Sequence, residues 1–390
     1  MIELKDKADC SGCAACESVC THGCIKMKAD AEGFPYPVID ATKCVQCGLC
    51  EKGCPIINIP TQNNIKEVIA AKNMDEDARF SSSSGGVFRL LAEHVLNQNG
   101  LVVGCRFNND MAAGHVIVNN IADLKPLLSS KYVQSDTRGI YTEVRKYLLE
   151  GKQVLFSGVP CQVAALKNYL MRPYSNLITI DILCHGVPSP RFFKEYLNNL
   201  ENRYGGKAAS VSFRYKEKSW KRLYINALFY NGKRHFLYAG YDSYMQLFLS
   251  DKLQRQSCFQ CPYNSLHRPG DITLGDFWGI GKSHYDFDDN KGVSMVLINN
   301  EVGKSIWDKI SKHTTHFASD LETAIAGNKV LVQHLPSRQG RDEFYADYVA
   351  EGFKKAVAKH APEASFLNRK YHDFMRFGLD ILRKIKREGY

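Results

Sequence analysis

The feature that most constrains this chain is a cysteine pattern that occurs twice within the first fifty-five residues. Nine of the fourteen cysteines fall there, and eight of them form two copies of the spacing C-x2-C-x2-C-x3-C. This spacing wraps three thiolates round one 4Fe-4S cluster and sends the fourth to a neighbouring cluster. We therefore predict two clusters, the first held by Cys10, Cys13, Cys16 and Cys54 and the second by Cys44, Cys47, Cys50 and Cys20.

The segment between the two cysteine runs completes the layout of a small ferredoxin. DAEGFPYPVID is typical of a short hairpin, with Gly33 and Pro35 at the turn and Pro37 interrupting the strand pattern. Two zinc ions or a set of disulfides are the alternatives for eight cysteines. Tetrahedral zinc sites usually pair two CxxC units across a longer loop, so the spacing favours iron-sulfur clusters.

Two details of the first run depart from the pattern. Thr21 stands where a proline usually follows the fourth cysteine, whereas Pro55 occupies that position in the second run. Cys24 is a ninth cysteine in this region, and we interpret it as a spare buried thiol.

Length and composition indicate a globular protein of more than one domain. A chain of 390 residues is too long for one small core, so two or three domains are expected. The first ten residues do not form a signal peptide, and no apolar stretch is long enough to span a membrane. Cysteine-rich chains inside the cell generally use their thiols for metals or redox chemistry. We therefore expect a cytoplasmic protein without a transmembrane segment.

The basic character of the chain does not predict a nucleic-acid partner. The formal net charge of +10 counts every cysteine as neutral. A 4Fe-4S cluster with four thiolates carries a net charge of about 2−, so three such sites would reduce the total to about +4. The basic residues are also scattered, apart from those in the last dozen residues.

Strands and helices alternate beyond the ferredoxin region. Apolar runs at 68–73, 152–158 and 177–183 are predicted strands, and the last two are separated by a predicted helix that begins near Pro160. A strand, a crossover helix and a strand form a parallel unit whose carboxyl edge usually holds ligands. Cys161 and Cys184 should both emerge at that edge.

Four cysteines outside the ferredoxin region form a possible second metal site. Two of them, Cys258 and Cys261, form a lone CxxC step. We interpret Cys105 as a core residue. We therefore infer a third 4Fe-4S cluster on Cys161, Cys184, Cys258 and Cys261. Three alternatives remain open. Cys161 could be a nucleophile with His185 as its base, the CxxC step could be a redox dithiol, or the four thiols could hold zinc.

A serine- and glycine-rich segment marks a possible phosphate site. SSSSGG at 81–86 precedes a predicted helix, and backbone amides at a helix N-terminus suit a phosphate group. A simple helix cap with flexible glycines remains an equal alternative. The polar stretch at 129–136, which contains Lys131 and Tyr132, is predicted to be a loop.

Several motifs of this second part resemble one known family. FSGVPCQVAAL, LCHGVPSP and the CxxC step before GDITLGDFWG are similar to signature blocks of the coenzyme F420 hydrogenase/dehydrogenase beta-subunit family, and SSSSGG and SKYVQS resemble its amino-terminal block. The resemblance implies a flavin, normally FAD, beside a 4Fe-4S cluster whose ligands match the four later cysteines. By the same resemblance, the residues expected near the flavin are Ser84, Gly85, Gly86, Lys131 and Tyr132.

The predicted architecture is a mixed α+β and α/β fold in four parts. A bacterial-type 2x(4Fe-4S) ferredoxin domain at 1–60 is followed by an amino-terminal α/β block at 65–150 with the flavin contacts. A carboxyl-terminal α/β block with the third cluster covers 151–340, and a helical basic tail covers 341–390. Apolar residues between Phe374 and Ile385 lie on one side of that tail, which favours a docking helix over a membrane-surface helix.

The predicted function is that of an iron-sulfur flavoprotein oxidoreductase. Electrons from a one-electron donor such as a ferredoxin would pass through 4Fe-4S clusters to a flavin, and then to a small organic acceptor or a deazaflavin coenzyme. The alternative is a non-autonomous electron-transfer subunit that serves a partner enzyme. No GxGxxG motif follows a strand, so a nicotinamide site is not predicted, and the sequence identifies no catalytic residue.

Overall fold

The computed structural model describes residues 2–362. Its strands form an eight-stranded sheet, a three-stranded sheet and two short two-stranded ribbons. The strands are β1 Ile25–Ala29, β2 Pro35–Ile39, β3 Asn63–Asn64, β4 Glu67–Asn73, β5 Leu101–Phe107, β6 Ala113–Val118, β7 Val154–Gly158, β8 Leu177–Ile182, β9 Ala208–Ser212, β10 Tyr224–Phe229, β11 Arg234–Tyr238, β12 His267–Arg268, β13 Ile272–Asp276, β14 Ser294–Ile298 and β15 Thr314–Ser319.

Helices cover both faces of the large sheet and also build the small ferredoxin unit. They are α1 Ala15–Val19, α2 Leu49–Gly53, α3 Glu76–Ser81, α4 Val87–Leu96, α5 Ile140–Leu149, α6 Pro160–Leu170, α7 Pro190–Tyr204, α8 Ser243–Leu249, α9 Glu301–Ile310, α10 Leu321–Gly327, α11 Gln339–Glu351 and α12 Phe353–His360.

The ferredoxin unit contains the expected hairpin, with two corrections. Pro35 was predicted at the turn, but it is the first residue of β2 and pairs with Ala29. Strands β1 and β2 pair antiparallel, and Gly33 lies in the turn with a φ of 85°. The prediction that Pro37 interrupts the strand is wrong, because Pro37 lies within β2 opposite Met27. Both strands of a two-stranded ribbon are edge strands, so a residue without an N–H group is tolerated there.

The large sheet has a parallel centre and antiparallel edges. Its strand order is β15-β4-β14-β13-β8-β7-β5-β6. Strands β5, β7, β8 and β13 run parallel to one another, and helix α6 connects β7 to β8, which confirms the predicted parallel unit. Both predicted α/β blocks, 65–150 and 151–340, contribute strands to this single sheet.

Alternating side chains of the central strands fill a core on each face of the sheet. Val103 and Phe156 belong to an apolar cluster that includes helices α5 and α6 and the ferredoxin cysteines. Val102 and Leu155 point the other way, into a cluster with α4 and α9. The ferredoxin unit therefore packs on the α5/α6 face and shares its core with the α/β domain.

A second core lies beside the large sheet. Strands β9, β10 and β11 form an antiparallel sheet, and Asn231 and Gly232 make the predicted hairpin turn between β10 and β11. Helices α7, α8 and α11 pack on it through aromatic side chains such as Phe192, Tyr244 and Phe344.

The carboxyl-terminal region is helical as far as the structure describes it. Helices α11 and α12 fall within the predicted tail, whereas the apolar stripe around Phe374 lies outside the described residues. Between residues 2 and 362, no helix is long and apolar enough to cross a membrane.

Candidate functional site

The two cysteine runs fold into loops with the same backbone twist. Gly12 and Gln46, at matching positions of the two runs, have φ angles of 68° and 54°. Ala14 and Gly48 match in the same way, with φ angles of 59° and 74°, and each caps the short helix that follows. A left-handed conformation is costly for a residue with a side chain. Its recurrence in both runs indicates that the loop geometry is imposed by the cysteine spacing.

The thiols assigned to the first cluster lie close together in a buried environment. Cys16 interacts electrostatically with Cys10, Cys13 and Cys54. Burial raises the pKa of Cys13 to about 12, so this thiol would be protonated without a metal and would release its proton on binding one. Among the cysteines assigned to the second cluster, Cys47 is exposed. The second site is therefore the one nearer to solvent.

The first cysteine loop is fixed to the α/β domain by buried polar groups. Arg255 is fully buried, and its guanidinium donates hydrogen bonds to the carbonyl oxygens of Cys10 at 2.5 Å and Pro35 at 2.9 Å. Gln134 donates to the carbonyl oxygen of Gly12 at 3.1 Å. A Cβ atom at Gly12 would lie 2.4 Å from the Gln134 amide nitrogen, so glycine is required for this close approach.

Hydrogen bonds from α5, α6 and the later CxxC step reach the same loop region. Tyr141 donates to the carbonyl oxygen of Cys13 at 3.1 Å, and Asn168 donates to that of Cys54 at 3.3 Å. Tyr263 donates to the carbonyl oxygen of Pro55 at 2.6 Å. The ferredoxin unit is thus held in one position by contacts beside its own predicted ligands.

The four later cysteines converge at the carboxyl edge of the parallel strands. Cys161 lies in the first turn of α6, directly after β7, and Cys184 follows β8. The Cys161 thiol interacts electrostatically with those of Cys184, Cys258 and Cys261, and all four line a cavity of about 40 Å³. A single water needs roughly 10–15 Å³ of such space, so this cavity is larger than one water site. The ligand assignment itself stays a prediction.

A glycine makes the close approach of these loops possible. Gly186 has a φ of 111°, and a Cβ atom there would lie 2.5 Å from Cγ of Gln254 and 3.3 Å from Cβ of Cys258. Its backbone N–H also donates to the sulfur of Cys184 at 3.3 Å. Hydrogen bonds to sulfur are one of the means by which proteins adjust the reduction potential of an iron-sulfur cluster.

Burial controls the protonation of this second set of thiols. It raises the pKa of Cys184 to about 12 and that of Cys161 well above the usual range. The same edge of the sheet contains a buried ion pair between Arg268 and Asp181, and Arg268 also donates to the carbonyl oxygen of Tyr263 at 2.9 Å. This pair fixes the loop after Cys261 against strand β8.

The fit of these residues to iron-sulfur clusters rests on the donor set and its surroundings. All fourteen cysteines are free thiols, N–H groups donate to the sulfurs of Cys10, Cys50 and Cys184, and two sets of four thiols converge. Among residues 2–362, no group of His, Cys, Asp or Glu side chains has the arrangement of a site for one metal ion.

The alternative in which His185 acts as a base for Cys161 has to account for another partner of the imidazole, the carboxylate of Asp251. His185 Nε2 lies 2.7 Å from the carboxylate of Asp251. The imidazole and this carboxylate also line a second, much larger cavity of about 790 Å³.

The large cavity adjoins the small one. Val159, Leu183, Cys184, His185 and Gly186 line both. A volume of about 790 Å³ falls within the 300–1,000 Å³ that is usual for cofactor and ligand sites. Cys184 of the third set therefore lies at the wall of a cavity that is large enough for a cofactor.

Four of the five residues predicted near a flavin line this cavity. They are Ser84, Gly86, Lys131 and Tyr132. Gly85 does not line it, because its α-carbon faces the sheet: a Cβ atom there would lie 2.4 Å from the carbonyl oxygen of Ala71. The contacts to a flavin remain a prediction for all five residues.

Two cationic side chains lie on this wall, together with the carboxylate of Asp276. Burial lowers the pKa of Lys131 to about 8, and its Nζ atom donates to the carbonyl oxygen of Pro126 at 2.6 Å. Arg214 is buried beside Tyr132, to which it donates at 3.2 Å, and pairs with Asp276 at 2.5 Å. Sequence reasoning missed Arg214, because a single arginine outside any motif gives no signal of its role.

A histidine on the same wall was also missed. The ring of His115 lies between two oxygen atoms, with Nε2 3.1 Å from the carbonyl of Ser157 and Nδ1 3.2 Å from the hydroxyl of Ser135. Gln162 donates to that hydroxyl at 2.9 Å. Burial lowers the pKa of His115 to about 4, so the ring is neutral at physiological pH.

Comparison with known protein families confirms the resemblance. Residues 151–323 match the carboxyl-terminal model of the coenzyme F420 hydrogenase/dehydrogenase beta subunit. Residues 9–57 match a 4Fe-4S dicluster domain. The chain therefore combines the carboxyl-terminal domain of that beta-subunit family with a ferredoxin domain for two clusters.

Individual relatives include a dehydrogenase and a reductase whose names refer to coenzyme F420. One subunit of the F(420)H(2) dehydrogenase of Methanosarcina mazei is 25% identical over 45% of this chain and 53% of its own length. The coenzyme F420-dependent sulfite reductase of Methanocaldococcus jannaschii is 26% identical over 51% of this chain and 31% of its own length. The chain thus spans about half of the first relative and about a third of the second.

Two further matches are to a ferredoxin-type protein and to a solved hydrogenase structure. The ferredoxin-type protein NapF of Haemophilus influenzae is 33% identical over 14% of this chain and 31% of its own length. A solved structure of the F420-reducing [NiFe] hydrogenase complex from Methanosarcina barkeri aligns with a TM-score of 0.47 at 17% identity, covering 75% of this chain and 92% of the matched chain.

Proposed function

From the presence of a coenzyme F420 hydrogenase/dehydrogenase beta-subunit domain and a 4Fe-4S dicluster domain in one chain, we propose that this protein is an iron-sulfur flavoprotein oxidoreductase. It takes single electrons from a ferredoxin-like donor and reduces a small organic acceptor or a deazaflavin coenzyme, or it works in the reverse direction. We propose the cytoplasm as its compartment, since its thiols have to stay reduced.

One observation carries the proposal: thiols of the first and second predicted sites share one apolar cluster, and the first site lies near the third. Cys13 of the first ferredoxin set interacts electrostatically with Cys161 of the third set. Cys184 of the third set lines the cavity of about 790 Å³. Cys47 of the second set is exposed. This arrangement supports the order second cluster, first cluster, third cluster and cavity, counted from the surface inward.

Hydrogen bonds within the chain hold the ferredoxin unit in a fixed position on the α/β domain. Arg255, Gln134 and Tyr263 fix the ferredoxin unit on the α/β domain through hydrogen bonds to its cysteine loops. Such contacts keep the distance between the first and third sites constant, which efficient electron transfer requires. When bound, the clusters exchange single electrons and a flavin exchanges two, so the flavin would link one-electron to two-electron chemistry.

The proposed flavin site is the wall of the large cavity. The N-terminus of α4, with Ser84 and Gly86, offers backbone N–H groups suited to a phosphate. Lys131 supplies positive charge on the same wall, whereas the charge of Arg214 is offset by its ion pair with Asp276. These features favour a phosphate-bearing cofactor such as FAD over a neutral ligand.

Cofactor analysis of anaerobically purified protein tests the proposal. About twelve irons and one flavin per chain are expected, with little zinc. About eight irons would reject the third cluster, and a preparation without flavin would reject the flavoprotein assignment. The variant Cys161→Ser should lose about four irons, whereas Cys105→Ser should lose none, because Cys105 lies on the cavity wall outside the predicted ligand set.

A second candidate is an electron-transfer subunit without an acceptor site of its own. The relative from Methanosarcina mazei is named as a subunit of a dehydrogenase, which favours this candidate. Affinity purification of the full chain from its native host distinguishes the two. A stoichiometric catalytic partner would support the subunit, whereas a single chain that reduces an organic acceptor with electrons from reduced ferredoxin would support the self-contained enzyme.

A further inference from the structure

The thiol of Cys24 lies beside the predicted ligands of the second cluster. Its Sγ atom is 3.2 Å from Sγ of Cys20, and it also interacts with the thiol of Cys44. Cys24 is only 5% exposed. Its interpretation as a spare buried thiol therefore accounts for its burial but not for its position against two predicted ligands.

We propose that Cys24 is an alternative ligand of the second 4Fe-4S cluster and is interchangeable with Cys20. The site would then contain five thiols for four ligand positions, namely Cys20, Cys24, Cys44, Cys47 and Cys50. The proposal rests on the match of residues 9–57 to a 4Fe-4S dicluster domain and is independent of the flavin.

The separation of the two sulfur atoms makes them competing ligands. Each iron of a 4Fe-4S cluster is bonded to three bridging sulfides and takes one cysteine thiolate. The sulfur atoms of Cys20 and Cys24 are 3.2 Å apart, so both can reach the same iron. That iron therefore binds one of the two thiols, and the other stays beside it in the same pocket.

The connection between the two cysteines allows such an exchange. Residues 21–23 form an exposed turn, and a Cβ atom at Gly23 would meet no atom within 4 Å. Cys24 is held at the start of β1, where its carbonyl oxygen accepts a hydrogen bond from Asp40 N at 2.8 Å. Exchange would therefore require movement of a short surface turn while β1 stays in place.

The residues after Cys54, which match those after Cys20, have neither a second thiol nor an unrestricted turn. Cys54 is followed by Pro55, whose ring fixes φ, whereas Cys20 is followed by Thr21. Four residues after Cys54 stands Asn58, where the first run has Cys24. The second thiol and the less restricted turn thus occur together, and only beside the cluster site that has an exposed ligand, Cys47.

Alanine variants of the full chain, purified anaerobically, test this proposal. Cys20→Ala and Cys24→Ala should each keep the wild-type iron content and the wild-type spin count of the dithionite-reduced protein. The double variant should lose about four irons per chain. Cys54→Ala is the matched control, and it should also lose about four irons because no second thiol replaces it.

Several outcomes would overturn the proposal. If Cys20→Ala loses as much iron as Cys54→Ala, Cys24 does not replace Cys20. If Cys24→Ala loses iron while Cys20→Ala does not, Cys24 is the sole ligand and the two are not interchangeable. The single variants decide the matter even if the double variant does not fold, and a wild-type far-ultraviolet circular dichroism spectrum identifies the variants that do fold.

Discussion

The hydroxyl group of Tyr263 donates a 2.6 Å hydrogen bond to the carbonyl oxygen of Pro55, which links the loop after Cys261 to the residue after Cys54. The tyrosine is 1% exposed, so water does not replace this bond when it is lost. The predicted first and third cluster sites are therefore joined directly through their ligand loops.

Tyr263→Phe should loosen this connection without altering the ligands. Leaving a buried carbonyl without its donor costs about 1 to 3 kcal/mol. Amide hydrogen exchange around residues 54–58 should become roughly five- to 150-fold faster, because local opening reports that free energy. Tyr285→Phe is the control, since Tyr285 is 71% exposed and its substitution should leave exchange unchanged. Unchanged exchange in Tyr263→Phe would show that this bond does not stabilise the junction.

Arg255→Met should release the first cysteine loop more strongly. The substitution removes hydrogen bonds to the carbonyl oxygens of Cys10 and Pro35 and to the side chain of Gln134. Hydrogen bonds from a charged donor contribute roughly 1.5–3 kcal/mol each, so exchange in residues 10–36 should rise by at least a hundredfold. Arg145→Met on the exposed side of α5 should have no such effect. Equal exchange in the two variants would contradict the structural role of Arg255.

Gly186→Ala should damage the third site because the added methyl group has no space. Its Cβ atom would lie 2.5 Å from Gln254 and 3.3 Å from Cβ of Cys258. We expect a loss of about four irons per chain and a lower thermal transition. Gly151→Ala is a matched control, because Gly151 also has a positive φ, 78°, but has no atom within 4 Å of such a Cβ. Full iron content in Gly186→Ala would argue against the predicted role of this loop.

Lys131 should make the binding of a phosphate-bearing flavin dependent on pH. Burial lowers its pKa to about 8, so the side chain is positive below that pH and becomes neutral above it. The affinity for FAD, measured by fluorescence titration of flavin-free protein, should fall roughly tenfold between about pH 7 and 9, as expected for one charge-assisted hydrogen bond. This dependence should be reduced in Lys131→Met and kept in Lys125→Met, which changes an exposed lysine. Wild-type pH dependence in Lys131→Met would exclude this lysine as the cause.

Local rules predicted the parts of the structure that depend on short stretches of chain. The strand, helix and strand from Val154 to Ile182 follow from apolar runs and turn residues, and they bring Cys161 and Cys184 to one edge of the sheet. Pro37 is an instructive error, because the rule that proline interrupts strands does not apply to a ribbon made only of edges.

Side chains whose partners lie far away in the sequence could not be identified from the sequence. Arg255 binds the Cys10 carbonyl, and Arg214 pairs with Asp276 on the cavity wall, yet neither lies in a recognisable motif. Gly85 was predicted to lie near the cofactor together with Ser84 and Gly86; these two neighbours line the large cavity, whereas Gly85 lies against the sheet. Sequence spacing does not reveal the direction in which each residue of an irregular turn points.

The sequence by itself determined the two cysteine loops, since ligand spacing and tight backbone turns act within a few residues. Only the tertiary structure decided that Cys13 lies near Cys161, that Cys184 lines the large cavity and that Cys24 touches Cys20. These relationships depend on how the strands of the sheet are ordered and on how the ferredoxin unit packs against α5 and α6. Burial of apolar surface over the whole chain sets that packing, and no local pattern encodes it.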